Sequence, residues 1–381
     1  MKKTPLKAIK TDQVLARPVY GLLGEVLLNT GAELKSQYIT ALLEMGISSV
    51  YIKDKRLEDI NQEDVISEKT RQEAHLLIKN IFTENIKSSE GHRFIYRSQK
   101  NIRDVTNNII EDLLENRNII INIADIKALN NYYFQHSLNV TIISAILCFK
   151  YEFPISLIKR YLGGIMLFDI GNTRLPQRLL YKKGIYSEKD SETIKKHTEY
   201  GFKILKNAEI FSDNATLLAL QHHERLNGEG YPKKRSGKDI NLVSQIVAVA
   251  DIYDALISDR PHRSALYPFQ ALEILAWMGE SGLNMDIVNM LHEFVSAFPI
   301  GLQVVLNNGE SGLVIANKRN HPFQPKVRLF YEGENFSPLK NPYDVDLSRK
   351  KNLKVEKVLM DNNELVTVSA IFKPQILSDD G

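Results

Sequence analysis

Hydrophobic and polar positions alternate along the first sixty residues, which predicts a strand-rich start to the chain. The alternation runs through VLARPVYGLLGEVLLNTGAEL at residues 14–34 and returns in SSVYIKD at residues 48–54. Between them, KSQYITALLEMG has the apolar spacing of a helix. We therefore predict a small α+β N-terminal domain over residues 1–60.

Helical spacing takes over after residue 60, most clearly in NIRDVTNNIIEDLLENRN at residues 101–118. The apolar residues on one stripe of this segment include Ile102, Val105, Ile109 and Leu113. Such a stripe either packs into the core of a domain or zips two chains together as a homodimer. The repeat is too short to demand a coiled coil, which favours core packing. We predict a helical linker region over residues 61–120.

The pattern stays helical over residues 121–300 and then changes to alternation. IGLQVVLNNGESGLVIANK holds two alternating runs joined at Asn308 and Gly309, a dipeptide that favours a tight turn between antiparallel strands. Shorter alternating runs follow in KVRLFYEG, KVEKVLM and LVTVSAIF. We predict a multidomain protein with an all-α domain over 121–300 and a mostly-β C-terminal module over 301–381. The module has no cluster of titratable residues, so we expect it to serve docking or regulation.

Composition adds bounds on the class of protein and its partners. The chain has 381 residues, of which 43% are hydrophobic and 25% charged, as in folded proteins with more than one domain. Its net charge of +3 is small for this length and argues against a nucleic-acid partner. No uncharged apolar stretch reaches the roughly 20 residues that span a bilayer, so no membrane partner is expected.

The cysteine and the first residues of the chain predict a cytoplasmic protein. Cys148 is the single cysteine and lies in the apolar run VTIISAILCF, where it is typical of a core residue and not of a nucleophile. A disulfide within one chain is thereby excluded. The start MKKTPLKAIKTDQ lacks the apolar core of a signal peptide.

The strongest sign of chemistry is HHERLNGEGYP at residues 222–232. Neighbouring histidines on a helix diverge by roughly 100°, so His222 and His223 can serve one metal centre only where the helix ends at that centre. The glycines permit turns closed to other residues, and Tyr231 is left facing the pocket. A surface turn after a core helix would explain one such histidine, but it explains the pair with its loop poorly.

Four further residues in helical segments are candidate metal ligands: His136, Asp169, His197 and Asp251. His197 lies near the inward stripe of IKKHTEYGFKIL, and Asp251 follows the apolar run of QIVAVADIYDALIS. A buried carboxylate is costly unless it is paired, hydrogen-bonded or metal-bound. A salt bridge or a helix cap is the alternative role of Asp251.

An anion clamp is a second candidate feature. Arg260 and Arg263 flank His262 in DRPHRSAL, and guanidinium groups present forked donors that match phosphate oxygens. The spacing fits a solvated basic turn equally well.

Taken together, HSLNV, FDIGN, KKH, HHERLNGEGYP and DIYDALISDRPHR resemble the HD-GYP family, a bacterial branch of the HD metal-dependent phosphohydrolases. The resemblance covers about residues 128–300, with the motifs in the family's order. It implies an all-helical domain that binds two, sometimes three, iron or manganese ions. It also implies hydrolysis of cyclic di-GMP to pGpG and often on to GMP.

Residue by residue, the resemblance gives each candidate a role. It implies that Asp169 is the catalytic carboxylate that bridges both metals. The first site would be completed by His136 and Asp251, and the second by His197, His222 and His223. Substrate contacts would come from Tyr231, Arg260 and Arg263. Three-metal members carry a glutamate where this chain has Tyr132, so one or two ions are expected.

Two departures from the family fall on one motif. The histidine of the histidine–aspartate pair is Phe168 here, which has no lone pair to donate, and the usual lysine of HDIGK is Asn172. Disturbing an outer-shell partner costs about 10–100-fold in metal affinity, so losing a direct ligand should cost at least that. We expect a weak first site, rescued at best by water or an amide of Asn172 or Asn130, and a complete second site. Reduced activity is the first expectation, and a silent cyclic-dinucleotide receptor or scaffold is the alternative.

Overall fold

The computed structural model describes residues 1–9, 11–21, 26–45, 47, 49–60, 64–88, 90–116, 132–180, 182, 184–258, 265–333, 335–359 and 364–368. The helices within these ranges are α1 (Ser36–Glu44), α2 (Glu68–Lys87), α3 (Gly91–Arg97), α4 (Gln99–Glu115), α5 (Tyr132–Lys150), α6 (Ile155–Met166), α7 (Gln177–Leu180), α8 (Glu188–Lys195), α9 (His197–Asn207), α10 (Asp213–Gln221), α11 (Leu242–Leu256), α12 (Pro268–Ser281) and α13 (Met285–Phe294). The strands are β1 (Lys2–Pro5), β2 (Val19–Tyr20), β3 (Val26–Leu28), β4 (Ser49–Ile52), β5 (Gln303–Leu306), β6 (Ser311–Ala316), β7 (Lys326–Glu332), β8 (Ser337–Asp346), β9 (Val355–Leu359) and β10 (Leu365–Thr367).

The first sixty residues contain both strands and a helix. Strand β1 pairs with β4, and β2 pairs with β3, both in the antiparallel sense. Their apolar side chains form a small cluster separate from the main core, made of Leu6, Leu15, Val19, Leu34, Leu42, Ile47, Val50 and Ile52. That this segment is an independent domain stays a prediction, as do the other domain boundaries.

The middle of the chain is helical, which confirms the predicted class for this region. Helices α2 to α6 and α9 to α13 contribute to one continuous apolar core. The stripe of α4 is buried in that core, since Ile102, Val105, Ile109 and Leu113 are at most 7% exposed. The stripe therefore packs within its own chain, and a homodimer stays a prediction.

Helices α6 and α10 lie in close backbone contact. A Cβ atom at Gly164 of α6 would lie 2.9 Å from the carbonyl oxygen of Ala215 in α10, so glycine is required for this approach. Helix α10 begins at a cap in which the Ser212 side chain accepts from the Ala215 N–H. The end of α10 is tied to the start of α11, because Gln221 Oε1 accepts from the Asn241 N–H at 3.0 Å.

The C-terminal part is an antiparallel sheet, which confirms the predicted β-rich module. Its strands lie in the order β10, β9, β5, β6, β7, β8. The predicted turn joins β5 to β6, and Gly309 occupies it with a φ of 85°, a conformation that favours glycine.

A short segment from near the N-terminus packs on this sheet. Leu57 is buried against Leu313 and Ile315 of β6. Arg328 of β7 binds both carboxylate oxygens of Asp59, at 2.7 and 2.8 Å. Residues 55–60 therefore belong structurally to the sheet's surface, a contact that sequence spacing does not predict.

Among the described residues, none of the helices combines the length and the apolar character needed to cross a bilayer. The cytoplasmic location stays a prediction.

Candidate metal centre

Three imidazoles converge at the end of α10. His222 is the residue that caps the helix, His223 follows it, and His197 is the first residue of α9. One ring nitrogen of each lies within 4.8 Å of the others. The helix thus ends at the site, which is the condition under which adjacent histidines can face one centre.

Hydrogen bonds of His197 and His222 orient these two rings so that Nε2 is available to bind a metal. Nδ1 of His197 lies 2.7 Å from the carbonyl oxygen of Ile194, and Nδ1 of His222 lies 3.0 Å from that of Leu218. Because a carbonyl only accepts, each Nδ1 carries the proton and each Nε2 keeps its lone pair. The two Nε2 atoms face each other at 3.3 Å, a juxtaposition of two acceptors that a shared cation would stabilise.

Asp169 lies beside the same two rings. Its Oδ1 is 3.4 Å from Nε2 of His197 and 3.7 Å from Nε2 of His222. Within the described part of the chain, this buried oxygen has no hydrogen-bond partner. Ligand atoms at about 2.0–2.2 Å from one divalent ion would stand about 3–3.6 Å apart, close to the separations seen here. The donor set therefore fits a transition-metal ion.

The protonation state of His222 agrees with this role. Burial lowers the pKa of His222 to about 4, although the neighbouring carboxylates of Asp169 and Asp251 act in the opposite direction. The imidazole is consequently neutral at any pH well above 4, as a ligand must be.

Asp169 owes its position to a close backbone contact of the 3-10 turn Ile170–Arg174 with α9. A Cβ atom at Gly171 would overlap the backbone carbonyl of His197 and would lie 2.5 Å from the Gly201 nitrogen. No residue other than glycine fits between the turn and the helix. This contact sets the separation between Asp169 and His197.

Gly171→Ala is therefore expected to lower the free energy of unfolding by about 1–3 kcal/mol, the usual cost of overpacking a core. Chemical denaturation of the purified protein measures this change. Gly282→Ala is the control, because its added Cβ would meet its neighbours at ordinary distances of 3.4–3.5 Å. Equal stability of the two variants would contradict the proposed role of the contact.

The first predicted site has a different geometry. His136 lies between two carboxylates, with Nε2 at 2.9 Å from Asp251 Oδ1 and Nδ1 at 2.7 Å from Asp254 Oδ2. Asp254 is fully buried and also accepts from the Asn139 side chain at 2.7 Å. The Asp254 carboxylate thereby holds the proton of His136 on Nδ1 and directs Nε2 towards Asp251.

Phe168 lies between the two groups of ligands. Its ring is 1% exposed, with its centroid 4.9 Å from that of His222 in an edge-on arrangement and 5.9 Å from that of His136. The ring therefore points towards the ligands and does not turn away from them. It supplies bulk there without a donor atom.

Asn172 is also buried near this position. Its backbone N–H donates to the carbonyl oxygen of Asp169 at 3.0 Å, and the residue is 9% exposed. It supplies no charge where the family's lysine stands. Another cation lies beside the signature loop, since Nζ of Lys195 is 5.3 Å from the ring centroid of Tyr231.

The signature loop is held by a buried glutamate. Glu224 accepts from the N–H groups of Lys233 and Arg235 at 2.8 and 2.9 Å. Gly230 is required because a Cβ atom there would lie 2.5 Å from the carbonyl oxygen of His223. The loop so formed places the Tyr231 ring in a stack on His223, with centroids 4.6 Å apart.

The predicted phosphate-binding residues Arg260 and Arg263 lie outside the described residues, as does Asn130. The structure thus brings together His197, His222, His223 and Asp169 in one group, and His136 with Asp251 in a second group next to it.

Sequence reasoning missed three supporting residues: Asn139, Glu224 and Asp254. A spacing signal existed for two of them, because positions three or four apart share a helix face. Asn139 follows His136 by three positions, and Asp254 follows Asp251 by three.

Comparisons with known proteins agree with this site. The HD domain family matches residues 140–287, and a KOW domain associated with HD domains matches residues 303–365. A cyclic di-GMP phosphodiesterase of Pseudomonas aeruginosa is 27% identical over 247 residues, which are 65% of this chain and 59% of that protein. A cyclic di-GMP phosphodiesterase of Thermotoga maritima is 43% identical over 100 residues, which are 26% of this chain and 27% of that protein. The chain thus spans less than two thirds of either relative.

Among solved structures, an HDGYP protein from Bdellovibrio bacteriovorus aligns with a TM-score of 0.44 and 17% identity, covering 76% of this chain and 97% of that one. The HD domain match spans the HHERLNGEGYP loop and all three imidazoles of the cluster, His197, His222 and His223. Residues 140–287 of this chain form an HD domain, whose motifs resemble those of HD-GYP proteins with Phe168 in place of the paired histidine.

Proposed function

We propose that this protein is a metal-dependent phosphodiesterase that hydrolyses cyclic di-GMP to pGpG and on to GMP, at a reduced rate. The observation that carries the proposal is the convergence of His197, His222 and His223 beside Asp169 Oδ1, a buried oxygen with no hydrogen-bond partner among the described residues. Several relatives are named cyclic di-GMP phosphodiesterases, and one from Vibrio cholerae is named a 3'3'-cGAMP-specific phosphodiesterase. A cyclic dinucleotide is therefore the proposed substrate class.

The proposed metal ligands divide between two positions. Asp169, His197, His222 and His223 would hold one ion, and His136 with Asp251 would contribute to a second. An iron or manganese ion bound there would supply Lewis-acid polarisation of the phosphodiester and a lower pKa for the attacking water. Asp169 is the proposed catalytic carboxylate because its Oδ1 lies beside the imidazoles of His197 and His222.

The residues around the centre have proposed tasks in binding substrate. Tyr231 stacks on His223, and its ring is the proposed contact for a base or ribose of the substrate. Lys195, close to that ring, offers positive charge near a phosphate and partly offsets the lysine lost at Asn172. The proposed phosphate clamp of Arg260 and Arg263 rests on the sequence.

The reduced rate follows from Phe168. A two-metal hydrolase neutralises charge on both the attacking and the leaving oxygen, and each ion must be held for this. Phe168 leaves the His136–Asp251 pair with one donor fewer than the family pattern provides. A weakly held ion lowers the fraction of active enzyme at a given metal concentration.

A second candidate function is a cyclic-dinucleotide receptor without turnover. The burial of the Phe168 ring against both His136 and His222 favours it, because an apolar ring occupies space beside both groups of ligands. Such a protein would keep its substrate pocket and one ion.

Incubation of the full chain with cyclic di-GMP and either manganese or iron, followed by chromatography, tests the two functions. The enzyme should produce pGpG or GMP, and His223→Ala should lower the rate by at least about 10²-fold. A parallel reaction with 3'3'-cGAMP tests the choice of nucleotide. Product formed equally well by His223→Ala would contradict the assigned site.

The receptor predicts a different pair of results: calorimetric binding of cyclic di-GMP at micromolar or tighter Kd, and no product. Absence of both heat and product for each cyclic dinucleotide would contradict the two functions together.

A further inference from the structure

A cavity of about 460 Å³ lies between α4, α6 and the start of α10, apart from the metal centre. None of its lining residues is a proposed metal ligand. Its volume falls within the roughly 300–1,000 Å³ that small-molecule sites occupy. The proposed function does not use this cavity.

The charged residues that line the cavity are all cationic. Arg103 comes from α4, and Lys159 with Arg160 comes from α6. Within the described ranges, no ion pair joins any of these three cations to a carboxylate, and no acidic residue lines the cavity. All three residues are exposed, and an anion bound among their side chains would be stabilised by their charge. Phosphate oxygens match this set best, because two of the cations are guanidinium groups.

The remaining lining residues are suited to an organic group attached to that anion. Phe211 and Ile102 form an apolar wall, and Gly163 keeps it open, since a Cβ there would lie 3.1 Å from the Phe211 ring. Gln99 and Asn107 add amide groups that both donate and accept. An aromatic wall beside amides is suited to a planar heterocycle.

We propose that this cavity is a second ligand site, which binds a nucleoside monophosphate or a similar phosphorylated aromatic molecule. The three cations hold the phosphate, and Phe211 with Ile102 contacts the base. The site borders both helices that lead to the metal centre. Helix α6 ends at Met166, two residues before Phe168, and α10 begins next to the cavity and ends at Gln221, the residue before His222.

Calorimetric titration of the full chain with GMP, in the presence of a chelator, tests the proposal. The wild type should bind, and Arg103→Ala and Arg160→Ala should each weaken binding at least tenfold. Lys100→Ala, an exposed cation on α4 outside the cavity, should bind as the wild type does. His223→Ala should also bind normally, because it alters the metal centre alone. Arg160→Lys, which keeps the charge, should recover part of the affinity if the fold is intact.

Guanosine and inorganic phosphate test the phosphate contact and the base contact separately. Guanosine should bind at least tenfold more weakly than GMP, because it lacks the phosphate. Inorganic phosphate should also bind more weakly, because it leaves Phe211 uncovered. Absence of heat with GMP, or wild-type affinity in Arg103→Ala and Arg160→Ala, would overturn the proposal. So would loss of GMP binding in His223→Ala alone. Guanosine or inorganic phosphate that binds as tightly as GMP would overturn it as well.

Discussion

Elemental analysis of anaerobically purified His222→Ala is expected to find almost no bound iron or manganese, against about one ion per chain in the natural protein. His222 is fully buried, and its Nε2 lies within 3.3–3.7 Å of Nε2 of His197 and Oδ1 of Asp169. Alanine removes the Nε2 donor of His222, so the ion would lose one of its proposed protein ligands. Since a lost outer-shell partner already costs about 10–100-fold in affinity, a lost ligand should cost more.

His292→Ala is the matched control for this experiment. His292 is a half-buried imidazole on α13 whose Nε2 lies 3.2 Å from the carbonyl oxygen of Leu272, and it is not a candidate ligand. It should keep its metal despite a similar loss of volume. Metal content in His222→Ala equal to that of this control would refute the ligand assignment.

The second large effect is expected for Phe168→His. An imidazole at this buried position would bring a donor atom to the space between His136 and His222, whose rings now lie 5.9 and 4.9 Å from the phenyl ring. The metal content should rise from one ion to two per chain, and the rate of cyclic di-GMP hydrolysis should rise at least about tenfold. Elemental analysis and the hydrolysis assay on the same preparations measure both changes.

Phe168→Leu serves as the control, because it alters the packing without adding a donor. It should remain at one ion. Two ions already present in the natural protein would show that Phe168 does not weaken the first site, and would favour the full enzyme over the receptor. An unchanged single ion in Phe168→His would contradict the explanation based on the missing donor.

Local patterns in the sequence predicted much of the candidate site. The divergence of neighbouring side chains required a helix to end at His222, and α10 ends at Gln221. The alternation after residue 300 and the Asn308–Gly309 turn predicted the antiparallel sheet. These features depend on short stretches of chain, where spacing alone determines which residues share a face.

Contacts between distant segments were not predictable in this way. The pairing of His136 with Asp254 joins positions 118 apart, and the bond from Arg328 to Asp59 joins positions 269 apart. The fit of Gly171 against His197 depends on a backbone separation that no residue pattern encodes. The cavity beside Phe211 likewise depends on how three helices pack, which no local pattern of residues encodes.

The attachment of residues 55–60 to the C-terminal sheet has a consequence for how this protein can be dissected. Leu57, Leu313 and Ile315 share one apolar cluster, and the guanidinium of Arg328 clasps Asp59. Residues 55–60 and the C-terminal sheet thus pack together as one unit, although the KOW domain match begins only at residue 303. Removal of residues 55–60 would expose the apolar side chains of Leu313 and Ile315, so a shortened version of the protein that keeps the sheet should also keep this segment.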